Sequence, residues 1–176
     1  PRLVIAPRHP ERFGDVARLL REFRDDDACE YKRYRIARRS EAPSDADSEA
    51  DIILLDSIGE LRALYRVTMI AFVGGSLIPH GGQSVLEPAA AGNAIITGLH
   101  TFNFADVMRV FLENNAVIQL PEQTNQAIPD DLFMQILDLL EEPEERERLA
   151  RNARAVMETN RGATAKTVEL LRHFLN

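Results

Sequence analysis

Short apolar runs alternate with stretches of helical periodicity along the first two thirds of the chain. The runs suit strands that are buried on both faces, with weaker alternation in the second, and they cover residues 3–6, 31–37, 52–55, 69–73, 94–97 and 116–120. Between them, apolar side chains follow the spacing of a helix face over residues 11–23, 58–67 and 104–114. Six strands alternating with helices predict an α/β fold, a doubly wound parallel sheet of about six strands with right-handed crossovers.

The last part of the chain is predicted to be helical from residue 130 onward, with breaks at Glu142-Pro143 and near residues 160–162. Earlier, residues 40–51 are rich in Ser, Asp, Glu and Pro and predict a mobile loop. We expect Asp45 and Asp47 in that loop to be solvated charges rather than metal ligands.

Composition limits the function. The chain has 176 residues, of which 45% are apolar and 28% charged, so it is expected to form one soluble globular domain. No window approaches the ~18 uninterrupted apolar residues of a membrane span. A net charge of −7 argues against a general nucleic-acid binder, because phosphate backbones are held by clustered Lys and Arg. The basic run over residues 32–39 is expected to be a solvated edge strand, with an anionic-lipid contact as the alternative.

Cys29 is the only cysteine, which excludes an internal disulfide and suits a cytosolic compartment. A chain that opens directly on a core strand is expected to be part of something longer. No metal-ligand spacing links Cys29 or any of the four histidines, which are His9, His80, His100 and His173.

Candidate chemistry lies just after the predicted strands, at Arg8, Gly59, Gly74 and Gly98. Because ligands of open parallel sheets bind outside the carboxyl ends of the strands, we expect these motifs to converge on one rim. Glycines at 74, 75, 81 and 82 allow backbone N–H groups to approach an oxyanion closely, and the helix start that follows adds its positive dipole end.

Arg8 and Glu87 each have a functional and a structural interpretation. The Arg8 guanidinium suits a phosphate, and the alternative is a surface ion pair with Glu11 or Asp15. Glu87 suits a ribose diol, but Ser84-Val-Leu-Glu87 also fits a capping box, which Pro88 weakens because proline has no N–H.

The segment Ser57-Ile-Gly-Glu60 similarly fits a helix start, with Asp56 or Ser57 as the cap and Glu60 in the first turn. For His9, a half-buried structural histidine is as good an interpretation as a ligand contact. The motifs of dinucleotide-binding folds, P-loops and α/β-hydrolases are absent, so those enzyme classes lose their main support.

Five short motifs together resemble one family. The run Gly74-Gly-Ser-Leu-Ile-Pro-His-Gly-Gly82, with Leu86-Glu-Pro-Ala-Ala-Ala-Gly92 and Gly98-Leu-His-Thr-Phe-Asn-Phe104, is similar to the donor half of 3-deoxy-D-manno-octulosonic acid (Kdo) transferases. The segments 6–12 and 56–61 agree with it, so the resemblance covers most of the chain. Where the family usually has Gly-Gly-His-Asn and Gly-Pro-His, this chain has Gln83-Ser84 and Leu99.

The resemblance implies that residues 1–176 form the CMP-Kdo-binding, carboxy-terminal half of a two-domain GT-B glycosyltransferase, Rossmann-like with C-terminal helices. The family transfers Kdo with inversion from CMP-Kdo to a lipid A precursor in lipopolysaccharide synthesis. The donor contacts that it implies are Pro7, Arg8, Ile58, Gly59, Glu60, Gly82, Ser84, Val85, Leu86 and Glu87. Further candidates are His9, Gly74, Gly75, Ser76, Gln83 and His100.

The resemblance also implies what this chain lacks. The catalytic base and the acceptor site are expected in an amino-terminal domain absent from this chain, so the fragment alone is expected to be soluble and inactive. No metal or other cofactor is expected, and the complete protein is expected at the cytoplasmic face of the bacterial inner membrane. The alternatives are another GT-B transferase or epimerase with a UDP-sugar, and a noncatalytic flavodoxin-like regulatory module, for which Asp56 occupies the phosphoacceptor position.

Overall fold

The structure, a computed structural model, describes residues 1–25, 34–42, 44–121 and 128–160. Cys29, Lys32 and His173, like the start of the predicted second strand, lie outside the described residues. The chain divides into two compact units, Pro1–Leu61 and Arg62–Asn176, which are called the first and the second unit below.

The described part of the first unit contains a three-stranded parallel sheet and one long helix. Its elements are β1 (Leu3–Ile5), α1 (Phe13–Asp25), β2 (Ile36–Arg38) and β3 (Ile52–Leu54), with short 3-10 helices at Pro10–Arg12 and Asp45–Glu49. The strand order β1-β3-β2 places β3 in the centre and β2 at an edge. Helix α1 packs Ala17 and Leu20 against Ile52 and Leu54 to form the core of the unit.

The second unit contains the second parallel sheet, in the order β4-β5-β6. After α2 (Leu61–Leu64) and a 3-10 turn at Tyr65–Val67, its elements are β4 (Ile70–Val73), α3 (Leu86–Ala91), β5 (Ala94–Thr97), α4 (Ala105–Glu113), β6 (Ile118–Gln119), α5 (Ile128–Glu141) and α6 (Pro143–Thr159). A further 3-10 turn, Phe102–Phe104, leads into α4.

Helices cover both faces of the second sheet. Ile95 of the central strand belongs to a core with Phe111 of α4 and Val156 of α6. Its neighbours Ala94 and Ile96 belong to a different core that includes Leu139 of α5. Because successive side chains of a strand point to opposite faces, these two cores lie on opposite sides of the sheet. The second unit therefore has the doubly wound arrangement that a continuous apolar strand predicts.

Within the described residues, the predicted α/β class with six parallel strands and C-terminal helices is confirmed, although hydrogen bonding divides these strands into two sheets of three. The predicted break at Pro143 is confirmed, since α5 ends at Glu141 and α6 begins at Pro143. None of the described helices combines the length and the apolar character that crossing a membrane requires.

The prediction of a mobile loop over residues 40–51 was wrong for its second half, where Asp45–Glu49 form a 3-10 helix. The Ser44 N–H and hydroxyl donate hydrogen bonds to the two carboxylate oxygens of Asp47, each at 2.9 Å. These bonds lower the pKa of Asp47 below its ordinary value. Asp47 therefore holds the start of a short helix and is not only a solvated charge.

Candidate functional site

The second unit brings the loops that follow β4 and β5 into direct contact. Residues 74–82, called the glycine loop below, leave the end of β4, and residues 98–103 leave the end of β5. Ser76 is fully buried, and its hydroxyl donates a hydrogen bond to the Val73 carbonyl at 2.7 Å and accepts one from the Gly98 N–H at 2.8 Å. The Ser76 carbonyl accepts a third hydrogen bond, from the His100 N–H at 2.9 Å. One buried serine thus links two strand ends.

Two glycines make this contact sterically possible. A Cβ atom added at Gly98 would lie 2.3 Å from the Ser76 carbonyl oxygen, so only glycine fits there without moving the backbone. Gly82 has a φ of +76°, and a Cβ on it would lie 3.1 Å from the His100 carbonyl oxygen. The Gly82 N–H closes the glycine loop by donating to the Gly75 carbonyl at 3.0 Å.

The structure therefore brings together five of the residues singled out in the sequence, which are Gly75, Ser76, Gly82, Gly98 and His100. Gln119, at the end of β6, was not singled out. Its amide nitrogen lies 3.2 Å from the Thr101 hydroxyl and 3.4 Å from the Gly98 carbonyl, so it holds the same loop from the other side. A polar residue ending an apolar strand was the signal available in the sequence. An open groove of about 450 Å³ lies beside it, with Leu99, His100 and Gln119 among its lining residues.

Helix α3 begins later than the capping-box interpretation requires. Its first helical residue is Leu86, and the first helical hydrogen bond runs from the Ala89 N–H to the Val85 carbonyl at 3.1 Å. The Ser84 hydroxyl accepts from the Leu86 N–H at 3.3 Å, which leaves it one residue outside the cap position. Pro88 falls in the first turn, where no N–H is needed for helical bonding. The alternative interpretation of this segment as a capping box is therefore wrong, because no such box forms.

Without the box, Glu87 is exposed on the first turn of α3 and makes no hydrogen bond or ion pair among the residues the structure describes. Burial raises the pKa of the Tyr65 phenol, and the negative charge of the nearby Glu87 carboxylate raises it further. Within the same described residues, the N–H groups of Ser84 and Val85 donate no hydrogen bond. A carboxylate and two N–H groups are thus available to a ligand here.

In the first unit, a buried carboxylate follows β3. The Asp56 side chain accepts hydrogen bonds from Arg38 Nε at 2.9 Å and from the Ser40 N–H and hydroxyl at 2.8 and 2.7 Å. Burial alone would raise the pKa of Asp56, but the bonds from Ser40 and Arg38 outweigh it and lower the pKa. A carboxylate held by three donors is poorly suited to accept a phosphoryl group, which removes the main support for the regulatory-module alternative.

The Glu60 carboxylate is also held by hydrogen bonds from neighbouring side chains. Ser57 donates its hydroxyl to one Glu60 carboxylate oxygen at 2.6 Å, and Arg39 Nε donates to the other at 2.9 Å. These two bonds lower the pKa of Glu60. The predicted helix start was wrong, because α2 begins at Leu61 and Ser57 bonds the Glu60 side chain instead of capping a helix. Between them, Ile58 is 80% exposed and Gly59 has a φ of +90°.

These contacts also change the interpretation of the basic run. Strand β2 lies at the edge of the first sheet, as predicted for a solvated edge strand. However, Arg38 and Arg39 are engaged with Asp56 and Glu60, so they are more than solvated cations. Sequence analysis missed this role because the partners are separated by 18 and 21 positions.

Arg8 is exposed after β1, and Pro7 beside it is half-buried. The two carboxylates proposed as its structural partners have other cations next to them. Glu11 lies 3.7 Å from His9, and Asp15 lies 3.7 Å from Arg12. The His9 side chain is 63% exposed, so its interpretation as a half-buried structural histidine was wrong. No cluster of three or more metal-ligating side chains occurs in the described ranges.

Comparison with known proteins places this geometry in a class. A crystal structure of the C-terminal CMP-Kdo binding domain of WaaA from Acinetobacter baumannii matches 88% of this chain and 72% of its own, with a TM-score of 0.66 and 32% identity. A glycosyltransferase C-terminal domain from Francisella tularensis matches at a TM-score of 0.52 and 18% identity, which supports the fold alone. The fold is that of the C-terminal domain of a GT-B glycosyltransferase.

Sequence comparison with curated proteins supports the same class of protein. The chain is 39% identical to the 3-deoxy-D-manno-octulosonic acid transferase of Haemophilus influenzae and 33% identical to that of Bordetella pertussis, over 175 residues in each case. It spans only 37% of the length of each of these relatives. No family model matches the chain. The chain belongs to the Kdo transferase family, as the resemblance of its motifs predicted.

Proposed function

We propose that this chain binds CMP-Kdo and forms the donor-binding domain of a protein that transfers Kdo to a lipid A precursor in lipopolysaccharide synthesis. The observation that carries the proposal is the match to the Acinetobacter CMP-Kdo binding domain, which extends over 88% of this chain at 32% identity. The start of α3 in the second unit supports it, because Ser84 and Val85 present N–H groups and Glu87 a carboxylate without intramolecular partners among the described residues.

The proposed donor contacts follow from ligand chemistry. In the first unit, the Arg8 guanidinium is suited to pair with a phosphate through charge-assisted hydrogen bonds. In the second unit, the N–H groups of Ser84 and Val85 are suited to donate to phosphate oxygens. Glu87 accepts hydrogen bonds from the ribose hydroxyls. The full proposed set, in the two units, is Pro7, Arg8, Ile58, Gly59, Glu60, Gly82, Ser84, Val85, Leu86 and Glu87.

The chemistry has two requirements, and this chain meets one of them. The negative charge that develops on the departing CMP phosphate needs positive groups, which Arg8 and the N–H groups supply. Transfer with inversion also needs a base that removes the proton of the acceptor hydroxyl. We assign no residue of this chain to that role and place the base in an amino-terminal acceptor domain. Arginine and amide donors are sufficient for a monophosphate leaving group, so the proposed mechanism uses no metal.

The decisive experiment is calorimetric titration of the chain with CMP, CDP, UMP and UDP. We expect CMP to bind most tightly, because the proposed donor, CMP-Kdo, carries a cytosine base and a single phosphate. Preference for UDP would favour a GT-B enzyme with a UDP-sugar donor. Absence of binding to all four nucleotides would contradict nucleotide binding by this chain altogether.

Transfer itself is tested with freshly generated CMP-Kdo and a lipid A precursor, using this chain alone and a complete two-domain protein that contains it. We expect turnover only with the complete protein, acting at the cytoplasmic face of the inner membrane, since orienting two substrates requires both halves of the site. Turnover by this chain alone would contradict the placement of the base in another domain.

A further inference from the structure

Ser76 is the only serine found wholly buried among the described residues, and its hydroxyl both donates and accepts a hydrogen bond. Its hydroxyl proton is committed to the Val73 carbonyl at 2.7 Å, while its oxygen accepts the Gly98 N–H at 2.8 Å. A hydroxyl has one proton to donate, so Ser76 has none left for a ligand. Its burial also keeps the side chain away from any molecule in solvent.

The Ser76 hydroxyl bonds within its own loop, to the Val73 carbonyl, and across to the second loop, from the Gly98 N–H. Val73 ends β4, whereas Gly98 follows β5, and these strands are paired in parallel with Val73 opposite Thr97. The His100 N–H adds a second link by donating to the Ser76 carbonyl at 2.9 Å. The absence of a Cβ at Gly98 allows the backbones to come this close. The relative position of the two loops is therefore set at Ser76.

The glycine loop depends on the same contact. Gly82 packs against the backbone of residues 100 and 101, with the carbonyl of His100 only 3.1 Å from the place of a Cβ. Gly82 lies two residues before Ser84, and the N–H groups of Ser84 and Val85 are the available ones. A shift of the 98–103 loop therefore removes the surface against which the segment 82–85 is fixed.

We propose that Ser76 is a positioning residue, which fixes the 98–103 loop against the glycine loop and so orients the N–H groups of Ser84 and Val85 toward the donor phosphate. The proposal rests on the proposed function, and it assigns to Ser76 a role other than the donor contact that the sequence suggested. N–H groups that are already fixed in place bind an anion more tightly than mobile ones, because binding does not have to order them.

The test compares CMP with cytidine, which lacks the phosphate, in the wild-type chain and in Ser76→Ala. Loss of the hydroxyl leaves the Gly98 N–H without its acceptor and frees the loop. We expect CMP affinity to fall about tenfold, equivalent to about 1.4 kcal/mol. Cytidine affinity is expected to change less than about threefold on the same scale, because the nucleoside makes no phosphate contact.

Asn93→Ala is the matched control. Asn93 is also buried in the second unit, but it lies before β5 and donates its amide to the carbonyls of Tyr65 and Thr68 at 2.9 and 2.5 Å. Its loss destabilises the same unit from the other end of the strand. We expect a lower melting temperature with an unchanged ratio of CMP to cytidine affinity.

The outcomes separate the two proposals. If the wild-type chain binds CMP and Ser76→Ala lowers CMP and cytidine affinity equally, or changes neither, the positioning role is overturned while CMP binding stands. If the folded wild-type chain does not bind CMP, the proposed function fails and the role of Ser76 fails with it. Should Ser76→Ala not fold, Gln119→Leu loosens the 98–103 loop from β6, and an unchanged CMP to cytidine ratio in that variant overturns the proposal.

Discussion

The strand ends of the two units are held together by different chemistry. In the first unit, charged side chains link the chain after β2 to the chain after β3, through Asp56 with Arg38 and Glu60 with Arg39. In the second unit, the loops after β4 and β5 are joined by backbone contacts and the neutral hydroxyl of Ser76. The first arrangement depends on ionisation, whereas the second depends on close approach.

This difference indicates how each loop responds to change. A charge-based link loses its partner when a carboxylate is neutralised or deleted, and it tolerates small changes of volume nearby. A link formed by backbone contact is indifferent to pH but intolerant of a single added methyl group. The two units therefore require different perturbations to be disrupted.

The largest effect is expected from Gly98→Ala in the second unit. Its Cβ would lie 2.3 Å from the Ser76 carbonyl oxygen, and relief requires movement of the backbone. We expect a loss of about 3 kcal/mol in the free energy of unfolding, as for an overpacked core. Urea denaturation measures it, and Gly74→Ala is the matched control because nothing lies within 4 Å of its Cβ. Equal stability of the two variants would contradict close approach as the basis of the link.

Asp56→Asn tests the charged link in the first unit. The substitution leaves Arg38 without a carboxylate, and because Arg38 is 30% exposed the cost is expected to fall below that of a fully buried pair, at about 2 kcal/mol. Urea denaturation again provides the measurement. Glu49→Gln, which breaks the exposed pair with Arg35, is the control and is expected to cost less than about 0.5 kcal/mol. A similar small cost for Asp56→Asn would show that its buried bonds contribute little.

The pH dependence of the stability of Asp56→Asn gives a second test of the charged link in the first unit. Because the pKa of Asp56 is lowered on folding, its contribution to stability is complete above the pKa of the unfolded chain, about 4, and is lost as the pH falls through the folded pKa. We expect the stability difference between wild type and Asp56→Asn to be constant from pH 7 to 5 and to shrink below about pH 4. The difference between wild type and Gly98→Ala should not shrink in this way.

Arg8→Ala tests whether a charged side chain of the first unit contributes to ligand binding as well as to stability. Removal of a guanidinium from a phosphate is expected to weaken CMP binding by about 2 kcal/mol, without unfolding the chain. Calorimetry at low and high salt measures the loss, which screening should diminish. Unchanged CMP affinity in a folded variant would assign Arg8 to a surface role.

The smallest effect is expected from Glu87→Gln in the second unit. If Glu87 binds the ribose diol, CMP affinity should fall by about 1 kcal/mol, while the affinity for the 2′,3′-dideoxyribose counterpart stays the same. Competition binding with both nucleotides measures the difference. Equal losses for the two ligands would refute the ribose contact.

Much of the fold follows from local sequence. The strand predicted over residues 94–97 is observed as Ala94–Thr97, because every side chain in it is buried and the apolar run has sharp ends. Boundaries were less accurate where the pattern is half exposed, as for β2 and for the helix predicted from Ile58. The Ser57 hydroxyl donates to the Glu60 carboxylate instead of capping a helix, and the preferences of residues at helix starts do not predict this contact.

The sequence alone determined the alternation of strands and helices, the glycine-rich loops at strand ends and membership of the Kdo transferase family. These features reside in neighbouring residues, whose polarity and backbone preferences act locally. Only the tertiary structure decided that Asp56 meets Arg38 and that Gly98 meets Ser76, because strand order brings together residues separated by 18 and 22 positions. It also decided that α3 begins at Leu86, which leaves Glu87 outside a capping box. Contacts between distant segments depend on sheet pairing, which no local pattern encodes.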